Sequence, residues 1–217
     1  MDVLNIAQTR YTTKAYDPNQ KIPAAQFERL LEVLRLAPSS INIQPWHFFV
    51  AEDLNAKQRI AKALIGKYAY NAPKVLDSSH TILLCTQSTI TEQHLECLLQ
   101  RDEHQGRFKD EQAKEAQRNT RTGYVEYYRN EKGDISRWAE NQTFIALGHL
   151  LFAAAAEGID ATPIGGFDEA KLAEELGLEE KGLFPSVILT LGYRSEQDFN
   201  AKLPKSRLTS DMVFTQL

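Results

Sequence analysis

Pro38-Ser39-Ser40-Ile41-Asn42-Ile43-Gln44-Pro45-Trp46 is the stretch on which the reading of this chain turns. It follows a segment in which Phe27, Leu30, Leu31 and Leu34 recur at helical spacing, and it leads into the apolar run Trp46 to Ala51. Pro38 stops the helix, because a proline disfavours helical geometry in the residue before it. A helix-stopping turn explains Pro38 and the serines, but not Gln44-Pro45-Trp46. Three other short polar segments also sit at the edges of apolar-periodic stretches: Arg10-Tyr11-Thr12-Thr13-Lys14, Pro163-Ile164-Gly165-Gly166-Phe167 and Lys205-Ser206-Arg207. Taken singly, each is an ordinary surface loop. Together they supply forked and point-charge donors, with two pairs of cations, beside backbone that permits close approach. A phosphate-bearing flat aromatic ligand requires that combination.

Composition sets the bounds. At 217 residues and 42% hydrophobic content the chain can bury one sizeable core, as a single domain over residues 1–217 or as one protomer of an intertwined oligomer. Charged residues at 25%, with 11 Gly and 8 Pro, argue against disorder. A net charge of −4 gives no reason to expect nucleic acid as a partner, so an anion site must be a local cluster of cations. No basic N-terminal segment leads into an apolar run, so no signal peptide is expected. The longest apolar candidate, Phe144 to Ala156, is far short of the ~20 residues of a membrane span and reads as a buried core helix. Cys85 and Cys97 form no Cys-x-x-Cys motif and have no His at metal-ligand spacing. Both read as buried, reduced thiols of a cytoplasmic protein.

Helices are predicted over Val3–Thr9, Ala24–Leu36, about Asn55–Leu64, through most of Glu92–Glu157, and over Phe167–Leu176 with Asp168 as its cap. Asp134 or Ser136 is the expected cap of the last long helix, and Gly158 its stop. Strands are predicted over Trp46–Ala51, Thr81–Thr86, Ile159–Pro163 and Ser186–Tyr193. Few strands without a regular βαβ beat make the class α+β. Met212, Val213, Phe214 and Leu217 form an apolar tail for which the chain has no further covering element, as in tails that dock on a partner subunit.

No Gly-x-Gly-x-x-Gly follows a strand, and there is no Gly-x-x-x-x-Gly-Lys-Ser/Thr, Gly-x-Ser-x-Gly or His-Glu-x-x-His. The histidines at 47, 80, 94, 104 and 149 do not share a helical face. No metal site is expected, and hydrolase readings lose their support.

Over essentially its full length the chain resembles the FMN-dependent nitroreductase family, in particular its enterobacterial oxygen-insensitive NAD(P)H nitroreductase and dihydropteridine reductase type. The Pro38 to Trp46 loop matches that family's Pro-Ser-Ser-x-Asn-x-Gln-Pro-Trp and is the most specific motif in the chain. The resemblance implies a nitroreductase-like fold, with a mostly antiparallel central sheet flanked by helices, in an intertwined homodimer that binds FMN. It also assigns residues. Arg10, Tyr11, Thr12 and Lys14 contact the flavin from one subunit, with Arg10 at the phosphate and Lys14 near the ring. Lys205 and Arg207 complete the phosphate site, while Asn71 and Lys74 bind the pyrimidine edge. Gln142 reaches the ribityl chain or phosphate. Pro38, Ser39, Ser40 and Asn42 reach the flavin of the other subunit. Pro163, Ile164, Gly165 and Gly166 lie against the central ring, with the Gly165 amide donating to N5. Ile41, Tyr68, Tyr70, Tyr124 and Phe199 line the open face; for Phe199, core packing is the competing reading of an isolated aromatic.

No side chain need act as nucleophile, since flavin N5 carries the chemistry. The implied activity is two-electron ping-pong reduction of nitroaromatics, quinones or related electron-poor aromatics by NAD(P)H. Nicotinamide then stacks on the flavin as a transient substrate, in keeping with the missing Rossmann fingerprint. An NAD(P)H:flavin reductase and a non-catalytic flavin store are the alternatives. One departure stands out: similar family members carry a glutamate where this chain has Gly165.

Overall fold

The computed structural model describes residues 2–217. Four strands, β1 (Trp46–Ala51), β2 (His80–Gln87), β3 (Asp160–Ile164) and β4 (Leu183–Gly192), form an antiparallel sheet in the order β1-β2-β4-β3. The two central strands are apolar along most of their length because both faces of the sheet are covered. Ile82 and Leu84 of β2 face one core, while Leu83 and Cys85 face the other, as the two-residue period of a strand demands. Proline is confined in a sheet to positions where its missing N–H is tolerated, and Pro163 lies on the edge strand β3.

The first core is roofed by α2 (Ala24–Arg35) and α7 (Ile135–Ala156). Phe27, Leu30 and Leu34 of α2 pack with Ala146, Leu147, Leu150 and Ala154 of α7 over Ile82, Leu84, Val187 and Leu189. The second core lies under α3 (Leu54–Ala61), α4 (Ala72–Asp77) and α8 (Glu169–Leu176), and includes Ile60, Val75, Phe167 and Leu172. A short α1 (Val3–Thr9) precedes these elements. The region read as broadly helical resolves into α5 (Glu92–His104), α6 (Glu111–Glu126), a π-helical turn at Tyr127–Glu131, and α7.

The predicted α+β class and all four strands are present. Four readings are corrected. Asp134 stands at the N-cap of α7, but its carboxylate makes no capping bond and one oxygen is buried without a partner. Ser136 donates to the carbonyl of Ser88 instead. Gly158 does stop the helix, with φ of 74° and an Ile159 N–H to Ala154 carbonyl bond, an end that favours glycine. Cys85 is buried and its thiol is pushed up to about 12 by burial, but Cys97 is exposed on α5, contrary to expectation. Finally, α7 is not enclosed by its own chain, since Phe144 and Ile145 are each 45% exposed on the face opposite the core. A helix that is apolar all round but covered on one side has its other face available for burial against a second body.

Candidate functional site

The segment from Arg10 to Lys14 is laid along the outer edge of the sheet. Thr12 forms a parallel bridge with Ala161 of β3, and the Thr13 carbonyl accepts a 2.5 Å bond from the Thr162 hydroxyl. Asp198, only 1% exposed, fixes this strip from the other side. Its carboxylate accepts from the Tyr11 phenol at 2.8 Å, the Lys14 amide at 3.3 Å and the Asn200 amide at 3.0 Å. Asn200 in turn donates its side-chain N–H to the Thr12 carbonyl at 2.7 Å. The start and the end of the chain are thereby locked together, and Lys205 and Arg207 are carried to Arg10.

At that end, Arg10, Tyr11, Thr12, Asn200, Lys205 and Arg207 share a cavity of about 370 Å³. Lys205 Nζ donates to the carbonyls of Ala7 and Arg10, at the exposed C-terminal end of α1. An ammonium has three donors, so one remains for a ligand. The proton affinity of Arg10 is lowered by burial and then by Arg207; that of Lys205 is lowered by burial and then by Arg207 and Arg10. Like charges are therefore concentrated here without a carboxylate between them, an arrangement that favours an anion. Arg194, absent from the expected set, also lines this cavity. It is already paired with Asp160 at 2.7 Å and lies over the Tyr11 ring at 4.9 Å, so it braces the site. No motif marks Asp198 or Arg194; only the hydrogen bonds do.

At the other end of the strip, Lys74 is buried and donates to the Asn71 side-chain oxygen at 2.7 Å, and Asn71 donates to the Gly166 carbonyl at 2.9 Å. Burial first, and then the nearby Lys14 charge, lower the Lys74 pKa. The Lys74 ammonium also lies 4.8 Å over the Tyr70 ring. A Cβ on Gly166 would stand 3.2 Å from both Asn71 Nδ2 and Tyr68 Cδ1, so glycine is needed for that close approach. A Cβ on Gly165 would meet nothing within 4 Å. Four residue steps separate the two cationic ends, at most about 14 Å of extended chain.

The Ser39 to Gln44 turn is a second, separate unit. Ile41, Asn42 and Gln44 have φ of 48°, 55° and 44°, and they are the only non-glycine residues with positive φ among the described residues. Such backbone is costly, above all for β-branched Ile41, and clusters at functional sites. Gln142 accepts from the Ser40 amide at 2.8 Å and donates to the Trp138 carbonyl at 2.9 Å, so its amide helps to hold this turn. Within the single chain, no hydrogen bond or ion pair among the described residues joins the turn to Arg10, Lys74 or Gly166. Tyr124 stands apart as well, 47% exposed on α6 beside Gly123 and Tyr127. Phe199 is 63% exposed at the start of a short 3-10 turn, which removes the core-packing reading. Tyr70 is exposed and Tyr68 half-buried.

The match to the nitroreductase family model spans residues 7–193. This chain belongs to the nitroreductase family. It is 39% identical over 216 residues, the whole of both chains, to the oxygen-insensitive NAD(P)H nitroreductase of Enterobacter cloacae. It is 35% identical to the major NAD(P)H-flavin oxidoreductase of Aliivibrio fischeri, covering 99% of this chain and 98% of that one. A crystal structure of a nitroreductase-like protein from Exiguobacterium sibiricum in complex with FMN superimposes with a TM-score of 0.84 at 25% identity, covering 100% and 98% of the two chains. No helix among the described residues is long and apolar enough to cross a membrane, and no His, Cys, Asp and Glu cluster suited to a metal is found among them.

The Tyr11 phenol tests the part played by Asp198. Burial first, and then the bond to Asp198, raise its pKa to about 12. In Asp198→Asn the phenol should titrate closer to its ordinary value of about 10, read by ultraviolet difference titration. An unmoved titration would show that the Asp198 charge does not govern this end of the site.

Proposed function

We propose that the protein is an FMN-dependent oxidoreductase that takes two electrons from NAD(P)H and passes them to electron-poor aromatics such as nitroarenes or quinones. One observation carries the reading: a single strip, Arg10 to Lys14, runs from an uncompensated cation cluster to a buried lysine-asparagine-glycine relay. A phosphate monoester carries about −1.5 to −2 charge at neutral pH and fits the first end. A flat heterocycle with carbonyl and imide groups fits the second, where Asn71 and Lys74 present polar atoms and Gly165 leaves open space. FMN, when bound, supplies the two-electron chemistry. Arg10, Lys205 and Arg207 hold its phosphate, Asn71 orients its pyrimidine edge, and Lys14 and Lys74 favour the negative charge that reduction places on the ring. In this reading the Gly165 backbone amide donates to the hydride-accepting atom of the ring. The names of the Enterobacter and Aliivibrio relatives support NAD(P)H as the electron source.

FMN should bind tightly and riboflavin poorly. Arg207→Ala should weaken FMN by about 1.5–3 kcal/mol, the scale of a hydrogen bond to a charged group. Fluorescence quenching titrations read both, and equal affinity for riboflavin and FMN would defeat the phosphate assignment. A yellow protein that bleaches anaerobically with NADPH but is never reoxidised by a quinone or nitroarene would instead favour a flavin store, and rapid release of reduced FMN a flavin reductase.

The enzyme works as a homodimer in this reading, with the Ser39 to Asn42 turn and Tyr124 serving the flavin of the partner subunit. Three features of the free chain support it: the uncovered face of α7, the unpaired outer edge of β1, and the tail residues Leu208, Met212, Phe214 and Leu217, all exposed. Obligate interfaces commonly exceed about 2,000 Å² and have core-like apolar centres. Sedimentation at micromolar concentration should show one dimeric species; a folded, flavin-loaded monomer would refute this. A buried reduced thiol at Cys85 is in keeping with a cytoplasmic setting.

Gly165 offers a graded electrostatic test. A Cβ there meets nothing within 4 Å, and a carboxylate beside the flavin disfavours the anionic reduced ring. At an effective dielectric of ~20 a charge ~6 Å away is worth on the order of 2–3 kcal/mol before solvent screening. For an exposed carboxylate the effect falls to the order of tens of millivolts. Gly165→Glu should therefore lower the flavin midpoint potential with FMN still bound. An unchanged potential would mean that the side chain points away from the ring.

A further inference from the structure

The strained turn at Ile41–Gln44 is held by side chains that reach it from three helices, and one of them is a fully buried cation. Arg121, on α6, is 1% exposed. Its guanidinium donates from Nη2 to Asp102 of α5 at 2.6 Å and from Nε to the Ile41 carbonyl at 3.2 Å. Asp102 is itself 5% exposed and receives a second, looser contact from Arg107 at 3.3 Å. The neighbouring carbonyl of Ile43, which can only accept, is bonded to His94 Nε2 at 2.6 Å, so this ring nitrogen carries the proton; burial lowers the His94 pKa. The Ser40 amide is taken by Gln142.

We propose that Arg121 is a positioning residue: anchored on Asp102, it holds the left-handed backbone at Ile41–Asn42 in the shape that presents Ser39, Ser40 and Asn42 to the flavin. This rests on the FMN reading above for its purpose, but its structural part stands alone. A charged guanidinium is expensive to bury and is retained only when paired. A β-branched residue at positive φ persists only where the surroundings over-determine it. Both costs meet at one hydrogen bond, between Arg121 Nε and the Ile41 carbonyl. The planar fork lets one side chain neutralise Asp102 and still offer a second donor at a fixed angle; a lysine ammonium matches the charge but not the fork.

Arg121→Lys keeps the pair with Asp102 and removes the forked second donor. In the FMN-free protein, amide hydrogen exchange at Asn42, Ile43 and Gln44 should accelerate about tenfold or more, the fold-change of a lost hydrogen bond to a charged group. Amides of β2, which open only with the whole fold, should stay the slower-exchanging set and accelerate by no more than the fall in global stability requires. FMN affinity should fall by about tenfold, again the loss of one such bond, with the melting transition still cooperative. If the lysine variant misfolds, Arg121→Met/Asp102→Leu removes both buried charges together and should give the same two effects. Loop exchange unchanged in a folded variant would overturn the proposal. Faster loop exchange with undiminished FMN affinity would overturn its cofactor role. A parent protein that binds no FMN would sink the functional reading, while the exchange result would still decide whether Arg121 holds the turn.

Discussion

A single buried carboxylate, Asp198, determines where the site forms. Its sequence distance from Tyr11 and Lys14 is nearly the whole chain, yet it accepts a bond from each and caps the short turn that begins at Phe199. Without it, nothing in the hydrogen-bond network ties residues 198–207 to the strip beside β3 except the Asn200 to Thr12 bond and the Lys205 contacts to α1. The cation cluster is assembled from two segments far apart in sequence, and Asp198 contributes three of the hydrogen bonds that hold them together. A buried carboxylate with three donors is well satisfied, whereas removing it would strand those donors, and that asymmetry makes the junction rigid.

The two ends of the strip are charged in different ways, and the difference suits different tasks. Arg10, Lys205 and Arg207 are half-buried or exposed, repel one another, and gain most from a compact dianion. Lys74 is buried, already hydrogen-bonded, and held beside Asn71, so it orients as much as it attracts. A phosphate needs charge from several directions, while a ring that alternates between neutral and anionic forms needs a fixed field close by. Preorganised cations provide that field without reorganisation during the reaction.

The fold was largely legible because its signals are local. The apolar runs of β2 and β4 and the spacing of Phe27, Leu30 and Leu34 depend on near neighbours in sequence. The cations and the turn motif were legible as residue types in a recognisable order. What stayed hidden has no local signature. Asp198, Arg194, Arg121 and His94 look like ordinary residues of polar or helical segments, and their roles arise from contacts across the chain. Asp134 shows the converse failure: its place at a helix start predicts a cap, but with φ of −137° and ψ of 39° it lacks the extended backbone usual at that position and makes no capping bond. Position in sequence specified the candidate, and backbone geometry decided against it.

The uncovered face of α7 and the strained turn at Ile41 bear on one another. Gln142 lies on the buried face of α7 and holds the Ser40 amide, while Phe144 and Ile145, two and three residues on, face outward. One helix therefore carries both a support of the turn and the apolar surface that a second subunit would cover. The polar side chains of the turn bond only within it, Ser39 and Asn42 each to Gln44, and Phe144 and Ile145 of the helix stay exposed. Docking through α7 would seat the turn in a rigid register against the partner, since a 22-residue helix leaves little freedom between the two features. In that arrangement, assembly and completion of the site are one event. The backbone cost at Ile41 is then borne by a chain whose turn is already shaped by Arg121, His94 and Gln142, leaving less to be reorganised when the two subunits meet.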